Sequence, residues 1–188
     1  GVTRDGVIDL DDLARQIETH CERTPDAPFM VSLMFANNET GALQPVAEAA
    51  ALARENGGVL HCDAVQAAGK VPVDVGALGA HITSMSAHKI GGPQGVGALV
   101  LGDGTTSLRD VLLSGGGQEL RARSGTENVP GIVGFGRAAE IARRDIARMG
   151  ELAAMRDEAE QAIAAHAPGA VIFSRDTARL PNTTCFSV

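Results

Sequence analysis

Tryptophan and tyrosine are absent from this sequence of 188 residues, and phenylalanine occurs only five times. The chain's own absorbance is therefore weak, and a visible chromophore bound to it would be easy to see. Cysteine is scarce as well: Cys21, Cys62 and Cys185 lie far apart, and none sits in a CxxC pair. Neither a disulfide framework nor a zinc site is indicated. Positive charge is the minority sign, with 16 Lys and Arg against 23 Asp and Glu and a net charge of -7. That balance excludes sequence-independent nucleic-acid binding, which needs many cationic contacts to phosphate. No apolar run approaches the length that spans a bilayer, and the opening GVTRDG has no signal-peptide pattern. A cytoplasmic protein without a membrane partner is expected. No internal repeat or low-complexity tract interrupts the chain.

What is present is ordinary for a globular protein: 44% hydrophobic and 21% charged residues. The length suffices for one domain with a sizeable core, or for a domain and part of another. The chain opens without methionine and stops at Val188 inside a strand-like stretch, so it reads as a piece of a longer protein.

Asp9 is placed to cap a helix whose first turn carries Asp11 and Asp12, with Leu10, Leu13, Ala14 and Ile17 on one face. The helix ends before the TPDAP of residues 24–28. Phe29 to Phe35, FMVSLMF, is an almost continuous apolar run of strand length, which predicts burial on both faces of a helix-covered sheet. It ends in the polar cluster Asn37, Asn38, Glu39, Thr40 and Gly41. Pro45 opens a helix through Glu55, Gly57 and Gly58 stop it, and Val59 to Cys62 form a second short strand leading to Asp63. Gln66 follows three residues later, one turn on if a helix begins there. The alternation of strands and helices with short connections predicts a mainly parallel α/β sheet flanked by helices. From Val129 to about His166 two helices are expected, broken near Gly150, with strand-like segments at 171–173 and 183–188. A soft boundary falls near Gly136, so that residues 1–136 belong to a large domain and 137–188 begin a smaller α+β one.

The densest signal lies in Ser84 to Leu101, SMSAHKIGGPQGVGALVL. Two short strands flank a Gly/Pro loop, and one lysine, Lys89, stands at its turn. Glycines permit close backbone approach to a ligand, and Pro93 fixes one φ. A lysine at the end of a buried strand loses hydration, which favours the neutral amine that a Schiff-base nucleophile requires. Taken alone, the loop favours a surface lysine in a turn, because short motifs match often by chance.

Asn38, Asp63, Gln66, Ser86, His88 and Lys89 all fall at or just beyond the carboxyl ends of predicted strands, where open α/β sheets place their ligands. A pyridoxal phosphate enzyme needs a lysine to hold the cofactor and a carboxylate to keep its pyridine nitrogen protonated. Lys89 and Asp63 suit those roles, Ser86 and His88 suit the phosphate, and Gln66 and Asn38 suit the ring oxygen.

The blocks NNETG, HCDAVQAAGK, SMSAHKIGGPQGVGALVL and GGGQE followed by RSGTEN resemble, in order and spacing, the signature blocks of the cysteine desulfurase family. These are fold type I pyridoxal phosphate enzymes related to class V aminotransferases. The resemblance implies that Lys89 is the catalytic residue holding pyridoxal 5'-phosphate and that Asp63 pairs with its ring nitrogen. It implies further that Gln66 and Asn38 contact ring or substrate, that Ser86 and His88 bind the phosphate, and that Thr126 reaches the phosphate of the partner subunit in a homodimer. The implied reaction converts L-cysteine to L-alanine and passes the sulfur to an enzyme cysteine as a persulfide. The sulfur then goes to an acceptor such as an iron-sulfur scaffold protein or to thio-cofactor synthesis. The family's sulfur-accepting cysteine, a cofactor-stacking histidine and a carboxylate-gripping arginine are expected outside residues 1–188, so this stretch alone is expected to be inactive. Cys185 is not assigned the sulfur-accepting role. Phe35, where many members have histidine, and the LRAR of residues 120–123 depart from the family pattern.

Plainer structural roles fit several of these residues as well. Asp63 also suits a helix cap, and Ser86 a core hydroxyl. His61 and Asp63 share a strand face but lack a third metal ligand of suitable spacing. GGPQGVG lacks the phosphate-loop and dinucleotide patterns. Cys62 reads as a small buried hydrophobe, and the arginines at 137, 143, 144 and 148 as a solvated helix face. Selenocysteine lyase, another class V enzyme, and a truncated non-catalytic scaffold remain the alternative functions.

Overall fold

The computed structural model describes residues 1–102 and 110–188. Its centre is a four-stranded sheet of β1 (Met30–Met34), β2 (Val59–Asp63), β3 (Ile82–Ser86) and β4 (Gly97–Leu101), in that spatial order. The first three strands run parallel and β4 returns antiparallel to β3. Met34 pairs with Asp63 and Asp63 with Ser84, so the carboxyl ends of β1, β2 and β3 lie side by side.

Helix α1 (Leu10–Arg23) begins at Asp9, whose side chain accepts from the Asp12 N–H at 3.0 Å. Helix α2 (Val46–Glu55) lies on β1 and β2, and α1 packs outside it. The core between α2 and the sheet holds Val46, Ala49, Ala50 and Ala53 against Leu33, Leu60 and Cys62. Small alanines let the helix approach the strands closely, and Phe29 closes the edge where Gly58 leaves room for its ring. The short α3 (Val75–Leu78) is capped by Asp74, whose Oδ1 accepts from the Ala77 N–H at 3.0 Å.

Among the described residues, α2 covers this face of the sheet and the other stays largely exposed. Met30, Ser32 and Met34 on the opposite face of β1 are exposed, as are Leu99 and Leu101 on β4. The expectation that FMVSLMF is buried on both faces is therefore corrected. The run is apolar on both sides, but no helix of the described residues lies on the second.

Beyond the sheet, α4 (Val129–Asp145) is continuous through Gly136, and a short 3-10 turn, Ile146–Arg148, joins it to α5 (Met149–His166). The break thus precedes Gly150, which lies within the first turn of α5. Strands β5 (Val171–Ile172) and β6 (Phe186–Ser187) form a small antiparallel pair. Between them the chain returns to the sheet: the Leu43 N–H donates to the Ala178 carbonyl and the Leu180 N–H to the Gly41 carbonyl, both at 2.8 Å. No helix of the described residues is long and apolar enough to cross a membrane.

Candidate functional site

Each of the first three strands ends in a turn that carries sequence-predicted site residues. After β1, the Asn37 side-chain oxygen accepts from the N–H groups of Glu39 and Thr40 at 2.9 and 3.0 Å. Asn37 is thereby spent on folding its own turn, while Asn38 is left exposed at the tip. After β2, the Val65 N–H donates to Asp63 Oδ1 at 2.9 Å, a local cap of the next turn. Asp63 is half-buried.

Gln66 does not stand on a helix, as the sequence suggested. Residues 64–70 make successive tight turns closed by bonds such as Ala68 N–H to the Ala64 carbonyl at 2.9 Å, and Gly69, at φ +73°, ends them. A positive φ at this point stops helix propagation. The turn is held against the Asn38 loop from below, because Ala36 and Ala67 pack with Leu180 in a small second core.

After β3 comes a single 3-10 turn, Ala87–Ile90, carrying His88 and Lys89. Ser86 Oγ and His88 Nδ1 are 2.8 Å apart, which unites the two residues proposed from sequence to receive a phosphate. Lys89 is exposed, contrary to the expectation of a dehydrated amine; the buried member of the turn is Ala87.

Helix α4 clamps this turn and its glycine loop from one side. Its residues Gly131, Gly134, Ala138 and Ala142 form a stripe of small side chains. A Cβ on Gly131 would lie 2.5 Å from Val96, one on Gly134 2.6 Å from Pro93, and one on Gly92 3.2 Å from Ala138 and 3.0 Å from the Ala87 carbonyl oxygen. Such approaches tolerate no larger side chain without a backbone shift. Thr126 lies exposed just before α4, whose first turn is capped by Asn128. Among the described residues it bonds to none of the other six candidates, which lie at or follow the carboxyl ends of β1, β2 and β3.

Two residues escaped the sequence reading. His61, weighed there only as half of a metal pair, spans three strands: its Nδ1 lies 2.9 Å from Ser32 Oγ and its Nε2 3.0 Å from Ser84 Oγ. Both nitrogens are engaged, and no cluster of metal-binding side chains occurs among the described residues. Lys70 donates to the Gln66 backbone carbonyl at 2.8 Å and to Gln66 Oε1 at 2.9 Å. Its spacing of four from Gln66 was the available signal. Burial first, and the charge of Lys89 second, hold the Lys70 amine below the ordinary lysine value. Cys62 is fully buried, and burial, with the Asp63 charge adding, pushes its thiol up to about 12. It is a core residue, as expected, and not a nucleophile.

Chemically, the strand ends therefore offer one carboxylate, one primary amine, a hydroxyl-imidazole pair and two carboxamides. That set suits a small ligand with an anionic group, a basic ring nitrogen and a carbonyl.

The chain matches the aminotransferase class-V family over residues 1–188. It is 45% identical over 154 residues to a cysteine desulfurase of Klebsiella pneumoniae, covering 82% of this chain and 38% of that protein. It is 54% identical over 119 residues to cysteine desulfurase IscS of Anaeromyxobacter dehalogenans, covering 63% of this chain and 29% of that one. The crystal structure of a NifS-like protein from Rickettsia africae superposes with a TM-score of 0.88 at 34% identity, over 98% of this chain and 50% of that one. The chain thus spans about two fifths or less of the length of these two curated relatives.

Proposed function

Because the chain belongs to the aminotransferase class-V family, we propose that it carries the cofactor centre of a pyridoxal phosphate-dependent cysteine desulfurase with fold type I architecture. The observation that carries this reading is the convergence of Asp63, Gln66, Ser86, His88 and Lys89 at the carboxyl ends of adjacent parallel strands. The desulfurase names and identities of the relatives support the choice of reaction.

The residues present fit the group. Lys89 supplies the exposed amine that would hold it. Asp63 keeps one carboxylate oxygen tied to Val65, which fixes the carboxylate's orientation. It is placed to hold a proton at the ring nitrogen. Ser86 and His88, already paired, form a compact donor site for phosphate. Gln66 and Asn38 serve the ring oxygen and the substrate. When bound, pyridoxal phosphate supplies the electron sink that lets bonds at the α and β carbons of an amino acid break.

For the whole protein we propose L-cysteine as substrate and transfer of its sulfur to an enzyme thiol, then to an acceptor such as an iron-sulfur scaffold. We propose a homodimer in which Thr126 reaches the partner subunit's phosphate, and a cytoplasmic location.

The test is borohydride reduction of the cofactor-loaded protein followed by peptide mapping. The label is expected on Lys89 and lost in Lys89→Ala. A loaded protein in which Lys89 stays unmodified would remove the central assignment.

A further inference from the structure

The double contact between Lys70 and Gln66 has a chemical direction. An ammonium offers only protons, so the oxygen of the Gln66 carboxamide, not its nitrogen, must face Lys70. The orientation of an amide, otherwise open to a flip, is thereby fixed. Among the described residues the Gln66 Nε2 group has no protein partner, and its two N–H groups point away from the ammonium. The turn that holds both residues is itself wedged beside Lys89. A Cβ on Gly69 would lie 3.1 Å from Ile90 Cγ2 and 3.1 Å from Ala142 Cβ, and Ile90 directly follows Lys89. Lys70 is half-buried there, close enough to Lys89 for their charges to interact.

Resting on the cofactor site argued above, we propose that Lys70 is a positioning residue that locks Gln66 as a donor-only side chain, so that the site receives the cofactor's ring oxygen as an oxyanion. Without Lys70 the amide is free to turn and present its oxygen, which repels that oxyanion. Lys70 thus acts through Gln66 and touches no reacting atom.

Two contributions have to be separated, because Lys70 also bonds the Gln66 backbone carbonyl and would brace the turn even with the side chain removed. A double-mutant cycle does this. Pyridoxal 5'-phosphate is titrated into the apo form of the full chain, and visible absorbance gives both Kd and the ratio of the two cofactor bands. Lys70→Met is expected to raise Kd about tenfold and shift the band ratio, the scale of one lost charge-assisted donor. In a Gln66→Leu background the same change is expected to alter Kd by less than about twofold, since the interacting partner is gone. Lys70→Arg, which keeps a cationic donor, is expected to retain the wild-type band ratio.

Equal effects of Lys70→Met in both backgrounds would overturn the proposal and leave Lys70 as a brace or a bare charge, as would no effect in either. If Lys70→Met does not fold, Lys70→Gln takes its place in the cycle with the same two outcomes. A wild-type chain that takes up no cofactor removes the function proposed above and this inference with it. A chain that loads and labels at Lys89, but shows equal effects in the cycle, removes this inference alone.

Discussion

Thr83 and Ser84 are neighbours on β3, yet their hydroxyls meet opposite fates. Thr83 points to the face covered by α2, is fully buried, and its Oγ1 has no hydrogen-bond partner among the described residues. Ser84 points to the open face and shares His61 with Ser32 at 2.9–3.0 Å. The two faces follow the same alternation along each strand but do different work. The covered face holds the fold together by apolar contact. The open face carries a polar tie across three strands and leads, at its carboxyl end, to Asp63 and Ser86.

The largest test of that division lies on the covered face. Leu60 is completely buried among alanines of α2. Leu60→Ala should lower stability in urea unfolding by about 4 kcal/mol, because the close-packed helix cannot collapse into the void. A loss below about 1 kcal/mol would mean that this face is not the main source of stability.

Glu160 is a buried polar group with full partners, unlike Thr83, whose hydroxyl has none among the described residues. Glu160 and Arg179 are 3% and 4% exposed and paired twice, Nη1 to Oε1 at 2.7 Å and Nη2 to Oε2 at 3.0 Å, with Thr184 donating a third bond at 2.5 Å. Glu160→Gln should cost about 3 kcal/mol by leaving the guanidinium without its counter-charge. The Arg179 hydrogen bonds hold the Glu160 carboxyl below its ordinary value in the folded chain. Its contribution is therefore fully present above about pH 4.3, the ordinary value for the unfolded chain, and fades as pH falls through the lower folded value. The gap in stability between wild type and variant should narrow with it. A gap independent of pH down to about 2.5 would show that ionisation is not the source.

The sequence made some of this legible and hid the rest for physical reasons. The four sheet strands lie within a residue or two of the apolar runs that announced them, because Gly, Pro and Asn clusters bound each run. Coverage of one face did not show, since Met30 and Met34 are as apolar as Leu33, and an apolar run does not say what lies over it. The spacing of Gln66 from Asp63 suits one helical turn if a helix begins there, but Gly69 at positive φ stops it. The junction of α4 and α5 contains Ile-Ala-Arg and no breaker, so Gly150 drew attention that belonged to residues 146–148. α3 had its Asp74 cap and its Gly79 stop in plain sight but is only four residues long. The candidate site residues could be placed from sequence because Asp63 and Ser86 close β2 and β3, and Asn38, Gln66, His88 and Lys89 follow a strand within a few residues. Their support, from Lys70 and His61, depends on contacts between segments that spacing alone leaves unpaired.

The smallest effects decide most about the two faces, because their predicted signs differ at adjacent positions. Thr83→Val keeps the shape of the side chain and removes an unpaired buried hydroxyl, so it should stabilise the chain by about 1 kcal/mol. Ser84→Ala removes one of the two partners of His61, but on a half-exposed face where water can replace it, so it should destabilise by only about 0.5 kcal/mol. Urea midpoints measured side by side give both values, and a common slope would show that the unfolded states match. If both variants destabilised alike, the two hydroxyls would be equivalent and the distinction between the faces would lose its polar half. If Thr83→Val stabilised and Ser84→Ala did not weaken the fold, the tie through His61 would be idle for stability, and its remaining purpose would be to hold β2 in place beneath Asp63.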